Sequence, residues 1–225
     1  MKLETRAALR LAITLILLAC LLFPAAGSLH FWQAWLLIAI MAAFWTYFLV
    51  ALLKHDPRLI ERRLQTRESD PAQKWALRLF SAVLYSGFVL SGLDFRFGWS
   101  RATGAVPLGL VVAGQVAVAA GYCLVFRVMK TNTFAASTIR VKAEQVVIDR
   151  GPYALVRHPM YTGMAIMMVA TPLALGSYVA LPVFGLMVPV LVFRLIHEER
   201  SLRRSLPGYP EYCERTQFRL VPGVW

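Results

Sequence analysis

The sequence predicts an all-α, polytopic integral membrane bundle of about six transmembrane spans. The last two form a short kinked hairpin, and the N- and C-termini are both cytoplasmic. Three observations carry this reading. Of 225 residues, 58% are hydrophobic and only 16% charged, with a mean hydropathy of +0.58; soluble domains run at roughly 45–50% apolar and about 25% charged. The apolar excess lies in runs long enough to cross a hydrocarbon layer about 30 Å thick, which takes about 20 helical residues. Basic residues, finally, gather on one side of those runs. Together these exclude a soluble enzyme, a secreted disulfide scaffold and a disordered chain.

The runs fall at 9–26, 30–53, 76–97, 105–129, 160–175 and 178–197. Lys2, Arg6 and Arg10 ahead of the first run imitate a signal peptide. The second run follows almost at once, however, through Pro24-Ala-Ala-Gly-Ser28, so a retained hairpin is expected. Basic residues number three at the N-terminus, six in 54–74, six in 127–158 and six from Arg194 onward. Turns 25–29 and 176–177 have none, and 94–104 has only Arg96 and Arg101. The long loops are therefore expected on the cytoplasmic side. Ala113, Ala117 and Gly121 form a small-residue stripe suited to close helix packing. Pro172, Pro182 and Pro189 predict kinks in the last two spans.

Residues 1–129 read as four hydrophobic helices and 130–225 as the polar, chemistry-bearing part of one membrane domain. The net charge of +12 would suggest nucleic acid in a soluble protein. Here it follows from the one-sided basic loops, and no aromatic-interleaved basic stretch is present, so no nucleic-acid partner is expected. Cys20, Cys123 and Cys213 are odd in number and widely spaced, and neither HExxH nor CxxC occurs. No disulfide framework and no metal are expected.

The polar residues concentrate in three stretches. In Asp149–Gly163, Gly151-Pro152 signals a turn and Pro159 a helix start, with His158 biased towards extended backbone. Arg157, His158 and Tyr161 would then cluster at a helix N-terminus suited to an anion, with Gly163 letting a ligand approach the backbone. The same residues also suit an interfacial belt at the headgroups. In the second stretch, Arg194 and Glu198 share a helical face, and Glu198-Glu199 sit where the helix dipole disfavours them. Either a functional site or a solvated ion pair accounts for them. The third stretch, Pro207–Tyr212 and onward, reads as a compact segment returning to the membrane face.

Taken in order, G-P-Y-x-x-x-R-H-P-M-Y-x-G at 151–163, R-x-x-x-E-E at 194–199 and P-G-Y-x-E-Y at 207–212 resemble the isoprenylcysteine carboxyl methyltransferase family and its phospholipid N-methyltransferase relatives. The resemblance covers about the last hundred residues. It implies an S-adenosylmethionine-dependent methyltransferase inside the membrane, yielding S-adenosylhomocysteine, with a lipophilic acceptor entering from the bilayer. It assigns Tyr153, His158, Pro159, Met160, Tyr161 and Glu198 to the cofactor, and Gln145, Val146, Val147 and Ile148 to an adenosine-contacting strip. Arg194 lies near the acceptor group in this reading. Arg157, Gly163, Glu199 and Tyr212 support the site. A carboxylate acceptor needs orientation by Arg194 alone; an amine or thiol needs Glu198, Glu199 or His158 as base. The absence of any Gly-x-Gly removes the dinucleotide fingerprint. Ala- and Arg-rich composition points to a bacterial inner membrane, where prenylated proteins are not the expected acceptor. The alternatives are an NADPH-dependent membrane sterol-type reductase and a non-enzymatic small transporter or scaffold.

Overall fold

The computed structural model describes residues 2–55, 57, 60–61, 71–132 and 146–225. Much of the two basic loops at 54–74 and 127–158 lies outside the described residues. The described part is helical: α1 (Leu3–Ala26), α2 (Trp32–His55), α3 (Pro71–Phe97), the single turn α4 (Trp99–Ala102), α5 (Leu108–Thr131), a 3-10 turn (Gly151–Ala154), α6 (Pro159–Ala174), α7 (Leu181–Gly185), α8 (Met187–Ser205) and α9 (Tyr209–Arg215). Five of these stretches are long and apolar enough to cross a membrane: α1, α2, α3 from Gln73, α5, and α7 with α8 taken as Leu181–Ser205.

The sixth expected span, α6, has 16 residues, about 24 Å of helix. It reaches the far side by way of its C-terminal loop. There Asp94 of α3 accepts hydrogen bonds from the Ser177 hydroxyl and from the Ser100 hydroxyl and main-chain N–H, while the Ser100 oxygen accepts from Tyr178 N–H. The carboxylate, 3% exposed, thus ties the α3–α4 corner to the α6–α7 loop.

Of the three prolines expected to kink the last two spans, Pro172 lies within uninterrupted α6, whereas Pro182 and Pro189 flank a break. The break falls at Leu186, between α7 and α8, with Pro182 in the first turn of one and Pro189 in the first turn of the other. At the first hairpin α1 continues through Pro24 to Ala26, and the chain turns at Gly27, whose φ of 62° suits a residue without Cβ.

Where lipid surrounds the helices, close packing replaces hydrophobic burial as the force that holds them together. The tightest pair is α5 with α6. A Cβ on Gly114 would lie 2.6 Å from Ala174 N, one on Gly121 2.9 Å from Gly163 O, and one on Gly163 3.0 Å from Gly121 O and 2.9 Å from Val125 Cγ2. The packing stripe is therefore Gly114 and Gly121, not Ala113, which is exposed. This also corrects the expectation for Gly163, because α5 fills the space beside it and leaves no room there for a ligand. Gly163→Val is expected to cost roughly 1–3 kcal/mol by overpacking and to lower Tm in detergent. Gly109→Ala, with nothing within 4 Å of the added Cβ, should leave Tm unchanged or slightly raised.

Apolar packing concentrates in two places within the bundle. Leu22, Phe31, Leu37, Phe88, Phe184 and Met187 belong to a large cluster towards the Asp94 end. Ala7, Leu52, Ile60 and Met129 form a smaller one at the opposite end, against which Met160 packs. At that second end, α6 begins and α8 finishes.

Candidate active site

The start of α6 is built as its residues require. His158 caps it outside the helical region, at φ −126° and ψ 59°, short of the extended backbone expected there, and Pro159 takes the first position, where its missing N–H costs nothing. Leu195, 0% exposed, anchors the inward face of α8 and brings its last turns against this start.

Two neighbouring polar groups result. In the first, Tyr161 Oη donates to Glu198 Oε2 at 2.7 Å, and Arg194 lies against the same hydroxyl. Arg194 is 9% exposed and Glu198 half-buried, so the shared helical face expected of this pair is turned towards α6. The His158 ring meets Tyr161 at a centroid distance of 5.9 Å.

The second group surrounds Glu199, which is 3% exposed. Its Oε1 accepts from Arg203 Nη2 at 2.9 Å and Nε at 3.2 Å, with Arg157 Nη2 at 3.4 Å. Its Oε2 accepts from Arg219 Nε at 2.7 Å and lies 3.7 Å from His158 Nε2. An unpaired carboxylate buried this deeply would be costly; here both oxygens face cationic donors. One of the three sequence candidates for a base is thus engaged on both oxygens.

Arg157 reaches the tail. Its Nη1 donates to Cys213 O and Thr216 O, both at 3.4 Å, while Nε is buried without a partner among the described residues. Tyr212 Oη donates to Tyr153 O at 2.7 Å, and the Tyr153 hydroxyl accepts from Asn132 Nδ2 at 2.9 Å. Burial pushes the Tyr212 hydroxyl up, so it keeps its proton and can donate. The Cys213 thiol is likewise pushed up by burial, which keeps it unreactive. Leu206, Tyr209, Tyr212 and Cys213 form a compact tail cluster with Val147 packed on it. Val146 is exposed and Ile148 half-buried, and Gln145 lies outside the described residues.

The structure therefore brings Tyr161, Arg194, Glu198 and His158 together, sets Arg157 and Glu199 beside them, and leaves Val146 apart on the surface. Sequence reasoning missed Arg203, Arg219, Tyr209 and Thr162. Arg203 was legible as the i+4 partner of Glu199. Arg219, twenty residues beyond, carried no local signal. Near the site, an apolar groove of about 610 Å³ runs between α3 and α8, lined by Trp75, Leu79, Val83, Leu186, Val190 and Phe193. Phe193 in turn contacts the His197 ring, at 6.3 Å.

A helical membrane bundle with a polar, largely buried constellation at one end and an apolar groove beside it defines a polytopic membrane protein with an end-of-bundle site. Residues 110–207, from α5 through the end of α8, are similar to the phospholipid methyltransferase family. The mouse (Mus musculus) delta(14)-sterol reductase TM7SF2 is 32% identical over 91 residues, 39% of this chain and 22% of that protein. The chain thus matches about a fifth of the length of this curated relative. The solved structure of the eukaryotic intramembrane Ras methyltransferase ICMT (isoprenylcysteine carboxyl methyltransferase), without a monobody, aligns at a TM-score of 0.43 and 19% identity, over 84% of this chain and 64% of that one.

Proposed function

We propose that this protein transfers a methyl group from S-adenosylmethionine to a lipophilic acceptor, an isoprenylcysteine carboxylate-like group or a membrane lipid, at the cytoplasmic face of a bacterial inner membrane. The observation that carries the reading is the Tyr161–Arg194–Glu198 constellation, which lies within the methyltransferase-matched segment. In this reading residues 1–129 are the substrate-side scaffold and 130–225 the cofactor-binding region. The basic residues near the site end of the bundle support a cytoplasmic placement.

The donor set fits the cofactor. Glu198 offers a carboxylate to its cationic part, and the orphaned Arg157 Nε together with the N-terminus of α6 favours its carboxylate. Tyr153, His158, Pro159, Tyr161, Glu198 and, from the strip at 145–148, Val147 and Ile148 would hold it. Met160, Gly163 and Tyr212 would hold the cradle in shape. When bound, S-adenosylmethionine supplies an electrophilic methyl group. Arg194 orients the polar end of the acceptor. Glu198, fixed by Tyr161, balances positive charge and takes a proton from an amine or thiol acceptor, whereas a carboxylate acceptor has none to give up. The burial of His158 and Arg194 excludes water from the approach. The groove between α3 and α8 supports an acceptor with an apolar tail.

Calorimetric titration of S-adenosylhomocysteine into the detergent-purified protein tests this. Micromolar binding is expected, at least tenfold weaker in Glu198→Ala, a difference of about 1.4 kcal/mol. Absence of binding to folded wild type in both detergent and nanodiscs would overturn it. A second reading, an NADPH-dependent sterol-type reductase, is favoured by the 91-residue match to a sterol reductase. NADPH binding and oxidation in the same preparations would establish that reading instead.

A further inference from the structure

Residues 218–225 fold back over the start of α6. Phe218 O accepts from Arg157 N–H at 2.9 Å, Arg219 O from His158 N–H at 3.0 Å, and Leu220 O from the Thr162 hydroxyl at 2.8 Å. The stretch is closed on itself: Trp225 O accepts from Leu220 N–H and Val221 N–H, at 2.8 and 3.0 Å, and the Arg219 guanidinium lies 5.2 Å from the Trp225 ring centre. Its side-chain tie to the bundle is Arg219 Nε on Glu199 Oε2.

The two oxygens of Glu199 divide their partners. Arg157 and Arg203 are on Oε1, whereas Oε2 serves Arg219 and the His158 ring. Arg219 therefore holds His158 twice, accepting from its main-chain N–H and sharing the oxygen that faces its ring. Tyr209 Oη approaches the same ring nitrogen, 3.5 Å from Nε2. With Arg219 gone, Oε2 would face His158 alone, while the contacts at Oε1 would be untouched.

We propose that residues 218–225 clamp the N-terminal end of α6 and that Arg219 is a positioning residue, setting His158 against the binding site through Glu199 Oε2. The consequence for ligand binding rests on the methyltransferase reading; the clamp itself does not. Arg219 is one-third exposed, so Arg219→Gln changes the latch with little burial at stake.

The test combines amide hydrogen exchange on the full chain without ligand and S-adenosylhomocysteine affinity. Both are measured in wild type, Arg219→Gln, Arg219→Lys, Arg203→Gln, Glu199→Gln and the double variant Glu199→Gln/Arg219→Gln. Arg219→Gln should speed exchange at residues 157, 158, 220 and 221 at least tenfold and weaken ligand binding about fivefold to tenfold. Arg219→Lys should keep most of the affinity. Arg203→Gln, which acts on the other oxygen, should change neither readout. The double variant should be little worse than Glu199→Gln alone, as expected for residues acting in series. Unchanged exchange at 157–158 in Arg219→Gln, or an equal effect from Arg203→Gln, overturns the clamp. If exchange responds but wild type binds no S-adenosylhomocysteine, the clamp stands and the methyltransferase reading falls. If wild type and Arg219→Gln bind it equally, the positioning role falls and the reading stands.

Discussion

Glu199→Ala is expected to be the most destabilising single change at the site, costing about 3–5 kcal/mol, the usual penalty for removing one partner of a buried ion pair. The cost does not divide evenly among its partners. The Arg203 and Arg219 side chains are 45% and 33% exposed and can recover hydration, so each contributes only about 0–1 kcal/mol. Arg157 is 6% exposed and cannot. Its buried guanidinium would keep Cys213 O and Thr216 O and lose its counter-charge. Most of the penalty therefore arises at Arg157, and Glu199→Gln, which keeps the volume and one acceptor, should cost roughly half as much. At about 2–4 °C per kcal/mol for a chain of this size, Glu199→Ala should lower Tm in detergent by about 6–20 °C. Arg203→Ala should stay within about 4 °C of wild type. A Glu199→Ala protein as stable as wild type would show that the cations around this carboxylate do not depend on it.

That result would also bear on how the site is read from sequence. Local features were legible because their causes are local. Pro159 at the start of α6, the turn at Gly151-Pro152, and the shared face of Arg194 and Glu198 follow from backbone restriction and helical spacing, and the structure has them. The last apolar run ends at 197 in the sequence, whereas the helix that carries it continues to Ser205. Its polar turns are held by an ion network whose other members, Arg157 and Arg219, come from different segments. Pattern placed Gly121 correctly in the small-residue stripe but set its first member one residue off, on Ala113 rather than Gly114. Both are small, and only the facing backbone of Ala170 and Ala174 decides between them. The same dependence on distant partners separates the adjacent carboxylates: Glu199 is enclosed by cations, whereas Glu198 meets a tyrosine hydroxyl.

Glu198→Gln is expected to lower methyl transfer by about 10²–10³-fold while leaving Tm within about 2 °C of wild type. Glutamine has the same shape and can still accept the hydrogen bond from Tyr161, so the substitution removes the charge and little else. A positioned acid or base contributes about 10²–10⁴-fold, and loss of a counter-charge to a cationic cofactor acts in the same direction. Tyr161→Phe does the reverse, keeping the charge and removing the donor that aims it at 2.7 Å. A hydrogen bond to a charged group is worth about 1.5–3 kcal/mol, so this change should cost roughly 10-fold or more. The two effects should not add, because an unaimed carboxylate and an uncharged one fail at the same step. Radiolabelled methyl transfer from S-adenosylmethionine into a membrane lipid extract, run on both single variants and the double, gives the measurement. Glu198→Gln retaining a rate within threefold of wild type would place the essential charge elsewhere. Full additivity would mean that Tyr161 serves something other than Glu198, for which Arg194, against the same hydroxyl, would be the next residue to substitute.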